Sequence, residues 1–216
     1  MENAIESFKA NALKLSEALK ERGIDKPALS PSSPFLRASH EIQTKAIERT
    51  QNQLKQMEIV PVRLEEFEKL RMICRFHGVK PVAPEVYERL TNDMAWEILD
   101  FGLNQLYRNE TIFKLGNYTI EDYESYTPAE LFSRPMSVLK PLVEKTLQVK
   151  ASTKIVDLSD IPPYVIEETQ TRLKAQFRIQ HSFACPLKSI SSNENTMFVF
   201  ASIIEPLDPS RRVSIM

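Results

Sequence analysis

Few side chains in this chain combine reactivity with useful spacing. Its 216 residues include three histidines and two cysteines. His181 precedes Cys185 by four, so alternation along a strand would put both on one face, as a metal or haem ligand pair requires. No further Cys or His completes a zinc set, and His181 reads instead as an ordinary strand residue. Cys74, far from Cys185, reads as a helix-buried thiol. His77 falls beside Gly78 at a helix end, where a cation meets exposed carbonyls. Glu121, Asp122 and Glu124 could do acid–base work only in a cleft that shifts their pKa values, and they read as a solvated helix start. No GxSxG elbow is present, and no nucleophile, base and orienter assemble. The four glycines, Gly23, Gly78, Gly102 and Gly116, cannot spell GxxxxGK[ST] or GxGxxG, which excludes phosphate loops. The expectation is a protein that is not an enzyme, with no metal site and no cofactor named by its sequence.

The elements that would carry these residues follow from periodicity. Ile5, Phe8, Ala12, Leu15 and Leu19 recur at helical spacing before Gly23, giving an amphipathic helix within 1–25. KPALSPSSP makes 26–37 a Pro/Ser-rich linker. Residues 38–93 read as helical. Ile42, Ala46, Ile47 and Leu54 form a thin stripe on a polar helix, suited to a partner or a dimer seam. Leu64, Phe67, Leu70 and Cys74 form the face of the next helix, and Pro84 starts another. Thr119 with Asp122 makes a capping-box-like start, and Ala129–Phe132 and Val138–Leu147 can each be helical. QFRIQHSFACPL and TMFVFASII, joined by SISSNEN, form the clearest hairpin.

The stretch ILDFGLNQLYRNETIFKLGNYTIED resembles the opening of a PAS domain. The matching positions are Asp100, Gly102, Asn109, Gly116, Tyr118, Thr119 and Asp122, with Asn117 inserted between glycine and tyrosine. The C-terminal hairpin resembles the last two strands of that family. The resemblance spans 94–207, leaves 208–216 as a tail, and implies an α+β fold: a helical N-terminal region followed by a PAS-like antiparallel sheet domain. It also implies sensing of a small-molecule ligand or partner, and protein–protein contact or homodimer formation, as in signalling and transcription regulation. Phe113, Tyr118, Tyr123, Tyr126 and Phe132 would flank the helical side of a pocket, with His181 and Phe183 on the sheet. Ile42, Ala46, Leu54, Leu64, Phe67 and Leu70 are the interaction-helix residues.

A competing resemblance, to histone-fold subunits, reads Ala95–Asn109 as one continuous helix and the protein as a structural adaptor in a larger, transcription-related assembly. A third reading is an enzyme with an unfamiliar site. Lys and Arg number 28 against 29 Asp and Glu, a net charge of −1, so no direct nucleic-acid partner is evident. With no signal or membrane segment, the sequence predicts an intracellular protein, cytoplasmic or nuclear.

Overall fold

The computed structural model describes residues 2–207; the tail read at 208–216 lies outside the described residues. The protein is α+β, with N-terminal helices followed by a curled antiparallel sheet. The helices are α1 (Glu2–Glu21), α2 (Pro34–Arg37), α3 (His40–Ile59), α4 (Glu66–Phe76) and α5 (Val86–Arg89), with the short strand β1 (Val79–Pro81) before α5. Strands β2 (Met94–Asp100) and β3 (Gln105–Arg108) precede α6 (Glu110–Lys114), α7 (Ile120–Ser125) and α8 (Pro128–Leu131). Then come β4 (Phe132–Ser133), α9 (Met136–Ala151), β5 (Val156–Asp157), β6 (Tyr164–Glu168), β7 (Gln176–Ser189) and β8 (Asn195–Pro206). The sheet runs β3-β2-β8-β7-β6-β4, with β1 and β5 also paired to β7.

Ala95–Asn109 therefore forms two strands, and the continuous helix that the histone-fold reading requires does not form. The reason is the turn. Asp100 Oδ1 accepts from the backbone N–H of Gly102 at 2.8 Å and of Asn104 at 2.9 Å. Leu103, at φ 61°, takes the left-handed position. An aspartate that captures the backbone in this way competes directly with helix propagation.

The segment read as purely helical, 38–93, also contributes β1, which pairs with β7 through Val79↔Ser189 to Pro81↔Leu187. The Pro/Ser-rich segment is no free tether. Its carbonyls at Pro27 and Ala28 accept from Ile120 N and Glu121 N, and Pro34–Arg37 turns into α2. Lys26 is buried here and donates to the carbonyls of Leu115 and Gly116. Its desolvation holds the amine down at about 8, against the opposing pull of Glu168. Gly116, at φ +69°, sits against the Glu168 carboxylate, so a Cβ there would meet both a backbone and a steric objection.

The stripe on α3 already has its partner. Phe8, Ala12, Leu15 and Leu19 of α1 share a core with Ala46 and Met57 of α3 and with Phe113, Tyr118, Ile120, Tyr123 and Leu131. Ala46 and Leu70 are fully buried, so neither offers a surface to another chain; Leu54 packs against the same core, Leu64 and Phe67 are half-buried, and Ile42 is exposed. A second core joins Leu70, Ile73 and Cys74 of α4 to Trp96, Ile98, Phe183, Cys185, Leu187, Val199 and Ala201 of the sheet.

Candidate functional site

A cavity of about 110 Å³ lies on the other face of the sheet. Its floor is Ala95 and Glu97 of β2, Phe200, Ser202 and Ile204 of β8, Phe177 and Ile179 of β7, and Tyr164 and Ile166 of β6. Its roof is Ile112, Leu115, Tyr123, Pro128, Leu131 and Phe132, from the helical layer α6–α8 and the start of β4. Gln105 and Arg108 of β3 close one end, and Arg134 also lines it. An apolar cavity of about 150 Å³ accommodates benzene, so this smaller space is that of a few heavy atoms unless its walls move. A groove between α1 and α3 is larger, about 660 Å³, but Lys14, Glu17, Glu21, Lys55 and Glu58 line it. A ligand site is usually apolar with a few convergent polar groups, and the sheet cavity has that character.

The polar end of the cavity is built around Arg108, which is 4% exposed. Its Nη1 donates to Glu124 Oε1, and its Nη2 donates to Gln105 Oε1 and, at 2.7 Å, to Tyr123 O. Its Nε–H is buried without a hydrogen-bond partner. Glu97, opposite Arg108 in the strand register, accepts from Gln105 Nε2. Burial raises the Glu97 carboxyl above its ordinary value, outweighing the charges of Arg108 and Arg134 and the Gln105 hydrogen bond that lower it. Arg134 donates through Nη1 to the carbonyls of Pro128 and Phe132. Ser202 shares a hydrogen bond with Ser182.

Behind this end stands α3. Arg49 donates to Glu124 Oε2 at 3.1 Å and to Glu124 O, so Glu124 is shared by a cavity arginine and a helix arginine. Gln53 Oε1 accepts from Arg108 N, and its Nε2 donates to Arg108 O. Gln56 Nε2 donates to Leu106 O. Two glutamines one turn apart thus satisfy the open edge of β3, which would otherwise present unpaired backbone groups.

Of the sequence-predicted pocket residues, Tyr123 and Phe132 line the cavity. Phe113, Tyr118 and Tyr126 belong to the helical core behind it. The Tyr118 hydroxyl donates to Leu131 O and accepts from Thr169 N. His181 and Phe183 do not line the cavity. A bulge between Ile179 and His181 inserts one residue into the ladder, and that reverses which face each later side chain takes. Phe177 and Ile179 consequently face the cavity, while Phe183 enters the opposite core and His181 contacts Arg89 Nη2 at 3.3 Å.

The acidic trio is buried, in contrast to the solvated helix start expected. Glu121 accepts from the backbone N–H of Ser30 and Phe35, Asp122 completes a capping box with Thr119, and Glu124 takes the two arginines. Sequence reading missed Glu97, Gln105, Arg108 and Arg134. For Glu97, Gln105 and Arg108, polar residues inside short apolar strands were the available signal, since a strand buried on both faces has no cheap place for them; Arg134 lies between β4 and α9 and carried none. His77 does end α4, but burial lowers its pKa and disfavours the cation expected there; its Nε2 lies 2.8 Å from Gln56 Nε2. Cys74 and Cys185 are buried free thiols, pushed up by burial to about 12 and about 11.

Among the described residues no cluster of His, Cys, Asp and Glu could hold a metal ion, and no helix is long and apolar enough to cross a membrane. Comparison with protein-family models, with curated proteins and with solved structures finds no match to this chain.

Proposed function

We propose that this chain is a non-enzymatic, intracellular regulatory protein, cytoplasmic or nuclear, whose PAS-like half holds a small ligand and reports its presence to a protein partner or a second copy. The PAS-like reading is supported by the way the opening strands and the closing hairpin meet through β2 and β8, with α6–α8 crossing over the cavity between them. The observation that carries the functional reading is the double duty of Arg108. Its side chain walls the cavity, while its backbone and its Glu124 partner are gripped by Gln53 and Arg49 of α3. A ligand that moves the guanidinium biases the seat of α3, a shift between two packings.

The adaptor reading shares the partner without the ligand. What favours protein contact under either reading is α9, where Met136, Val143 and Leu147 are 79%, 59% and 70% exposed on one helix. This surface replaces the stripe of α3, which is occupied within the chain.

Hydrogen exchange tests the coupling. Ala95→Leu fills the cavity from its floor, and amides of α3 around Gln53 and Gln56 are expected to lose protection while α4 keeps its own. Unchanged exchange in α3 would overturn the ligand-to-helix reading and leave the adaptor reading in possession.

A further inference from the structure

Helix α9 is apolar on two sides. Val138 and Val149 are buried on its sheet side, in a cluster with Leu99, Ala184 and Phe198, and Leu142 packs against that cluster. Met136, Leu139, Val143 and Leu147 are exposed, yet they recur at intervals of three and four residues and so share one stripe of the helix surface. A helix at the surface of a single chain ordinarily turns an apolar face inward and a polar face to water. Lys140 and Glu144 flank this stripe on one side, one turn apart. Lys150 ends it, with its ammonium over the Phe101 ring. The pattern reads the same from either end, with the sign of charge exchanged. About a point between Pro141 and Leu142, Met136 mirrors Leu147, Leu139 mirrors Val143 and Lys140 mirrors Glu144, each to within a residue.

We propose that this face pairs with the same face of a second copy of the chain, the two α9 helices lying antiparallel across a two-fold axis near Pro141 and Leu142. This rests on the reading above that the chain reports to a protein, and it names that protein. An isologous contact needs a surface complementary to itself, in which each pairing occurs twice. In the antiparallel arrangement the like-sided flanks of the two stripes come together. Lys140 of each copy then meets Glu144 of the other, Met136 of each meets Leu147 of the other, and Leu139 and Val143 fill the centre. A parallel pair would instead set lysine against lysine and glutamate against glutamate, and a foreign partner would require no such symmetry. Within one helix the two charges are 3.9 Å apart and both exposed, so exchanging partners costs little. The face of one 16-residue helix is at the small end of dimer contacts, which makes the dimer weak, with a dissociation constant of about 10–100 μM.

Sedimentation velocity of the full chain, from about 5 to about 500 μM, tests this across the expected range. A reversible monomer–dimer equilibrium is expected. Val143→Glu places a charge at the centre of the contact and is expected to weaken the dimer by about tenfold or more. The melting temperature of the dilute monomer should not change, because Val143 is exposed there. Lys140→Glu and Glu144→Lys each set like charges together at both ends of the contact, and each is expected to weaken self-association by about three- to tenfold. Mixed with each other, these two chains present opposite charges and are expected to associate at least as well as the parent. The double variant that exchanges the two charges is expected to recover the parent affinity. A chain monomeric at the highest concentration would overturn the second copy and leave the stripe to a different protein, while the ligand-to-helix coupling still stands or falls on exchange in α3. A dimer indifferent to Val143→Glu would place the contact elsewhere. A dimer lost in Val143→Glu but indifferent to the single charge variants, or not recovered by mixing them, would overturn the antiparallel two-fold.

Discussion

On one face of β2 stand Trp96 and Ile98; on the other stand Ala95 and Glu97. The register continues the contrast across the sheet. Trp96 and Ile98 pair with Ala201 and Val199 of β8, while Ala95 and Glu97 pair with Ser202 and Phe200. The first face is covered by α4, α5 and β1 and is filled with side chains that are essentially inaccessible, including Trp96, Ile98, Phe183 and Cys185. The second is covered by α9 at its Phe198 end and by α6–α8 elsewhere, and beneath α6–α8 it keeps a cavity with charge at one end. Both faces belong to one ladder and obey one alternation. What differs is the cover over the cavity itself: α4 and β1 close the first face and the continuous α9 closes the Phe198 end of the second, whereas the cavity lies under three short helices broken by Pro128 and the Gly116 turn. A continuous helix supplies a regular apolar ridge for the sheet to pack against, whereas short pieces leave gaps. The lesson is that a binding space here comes from interrupted cover rather than from a special sheet.

Substitutions on each side put that contrast to the test. Trp96→Ala, on the filled face, is expected to cost about 3–5 kcal/mol through lost burial and an unfilled void, measured by chemical denaturation. It also removes the indole N–H that Glu66 accepts, leaving that carboxylate to Lys69 and Asn109. A loss below about 1 kcal/mol would mean that this face is not the rigid one. At the charged end of the cavity face, Glu124→Leu leaves Arg108 and Arg49 without their anion and is expected to cost about 3 kcal/mol or more. The double variant Glu124→Leu with Arg108→Met is expected to be less damaged than the sum of the two single losses, because the more deeply buried of the two orphaned guanidiniums is gone. Strict additivity in that cycle would show that the pair is not coupled.

Adding two methyl groups at one position separates the faces most directly. Ala201→Val, on the filled face, is expected to lower stability by about 1–3 kcal/mol from overpacking, whereas Ala95→Val, facing the cavity, should stay within about 0.5 kcal/mol of the parent. Equal losses would erase the distinction between the faces. The smallest effect concerns pH. Glu97 has its pKa raised in the folded state, so the unfolded chain loses that proton first. Stability therefore falls as pH climbs from the ordinary glutamate range through the raised value, then levels off, with a slope of at most about 1.4 kcal/mol per pH unit from this one group. Glu97→Gln is expected to remove that part of the slope in urea titrations at a series of pH values; an unchanged profile would place the ionisation elsewhere.

Much of the architecture was legible because its signals are local. The apolar spacing of α1, the Thr119–Asp122 capping box and the β-branched C-terminal hairpin each declare themselves within a dozen or so residues. The partner of the α3 stripe was not legible, since Ala46 meets α1 only after the chain has folded back. The sheet half of the pocket was misread for a single reason. Strict alternation from Phe177 to Cys185 predicts one face for His181 and Phe183 together with Phe177, and one inserted residue at the bulge reverses it. The arginine–glutamate end of the cavity was hidden differently. Arg108, Glu124 and Arg49 are ordinary surface types in isolation, and only long-range packing makes them interior.

The pair of glutamines on α3 has a further consequence. Gln53 and Gln56 stand where a neighbouring strand would stand, offering side-chain amides in place of another backbone. α3 therefore works as a zip fastener on the open seam of the sheet. Its teeth do not release singly, because the same helix also holds Glu124 through Arg49. Peeling it away would in one movement unmask a strand edge, strip the cavity arginine of its support and lay bare the α1 side of the core, so the seam is built to open completely or not at all.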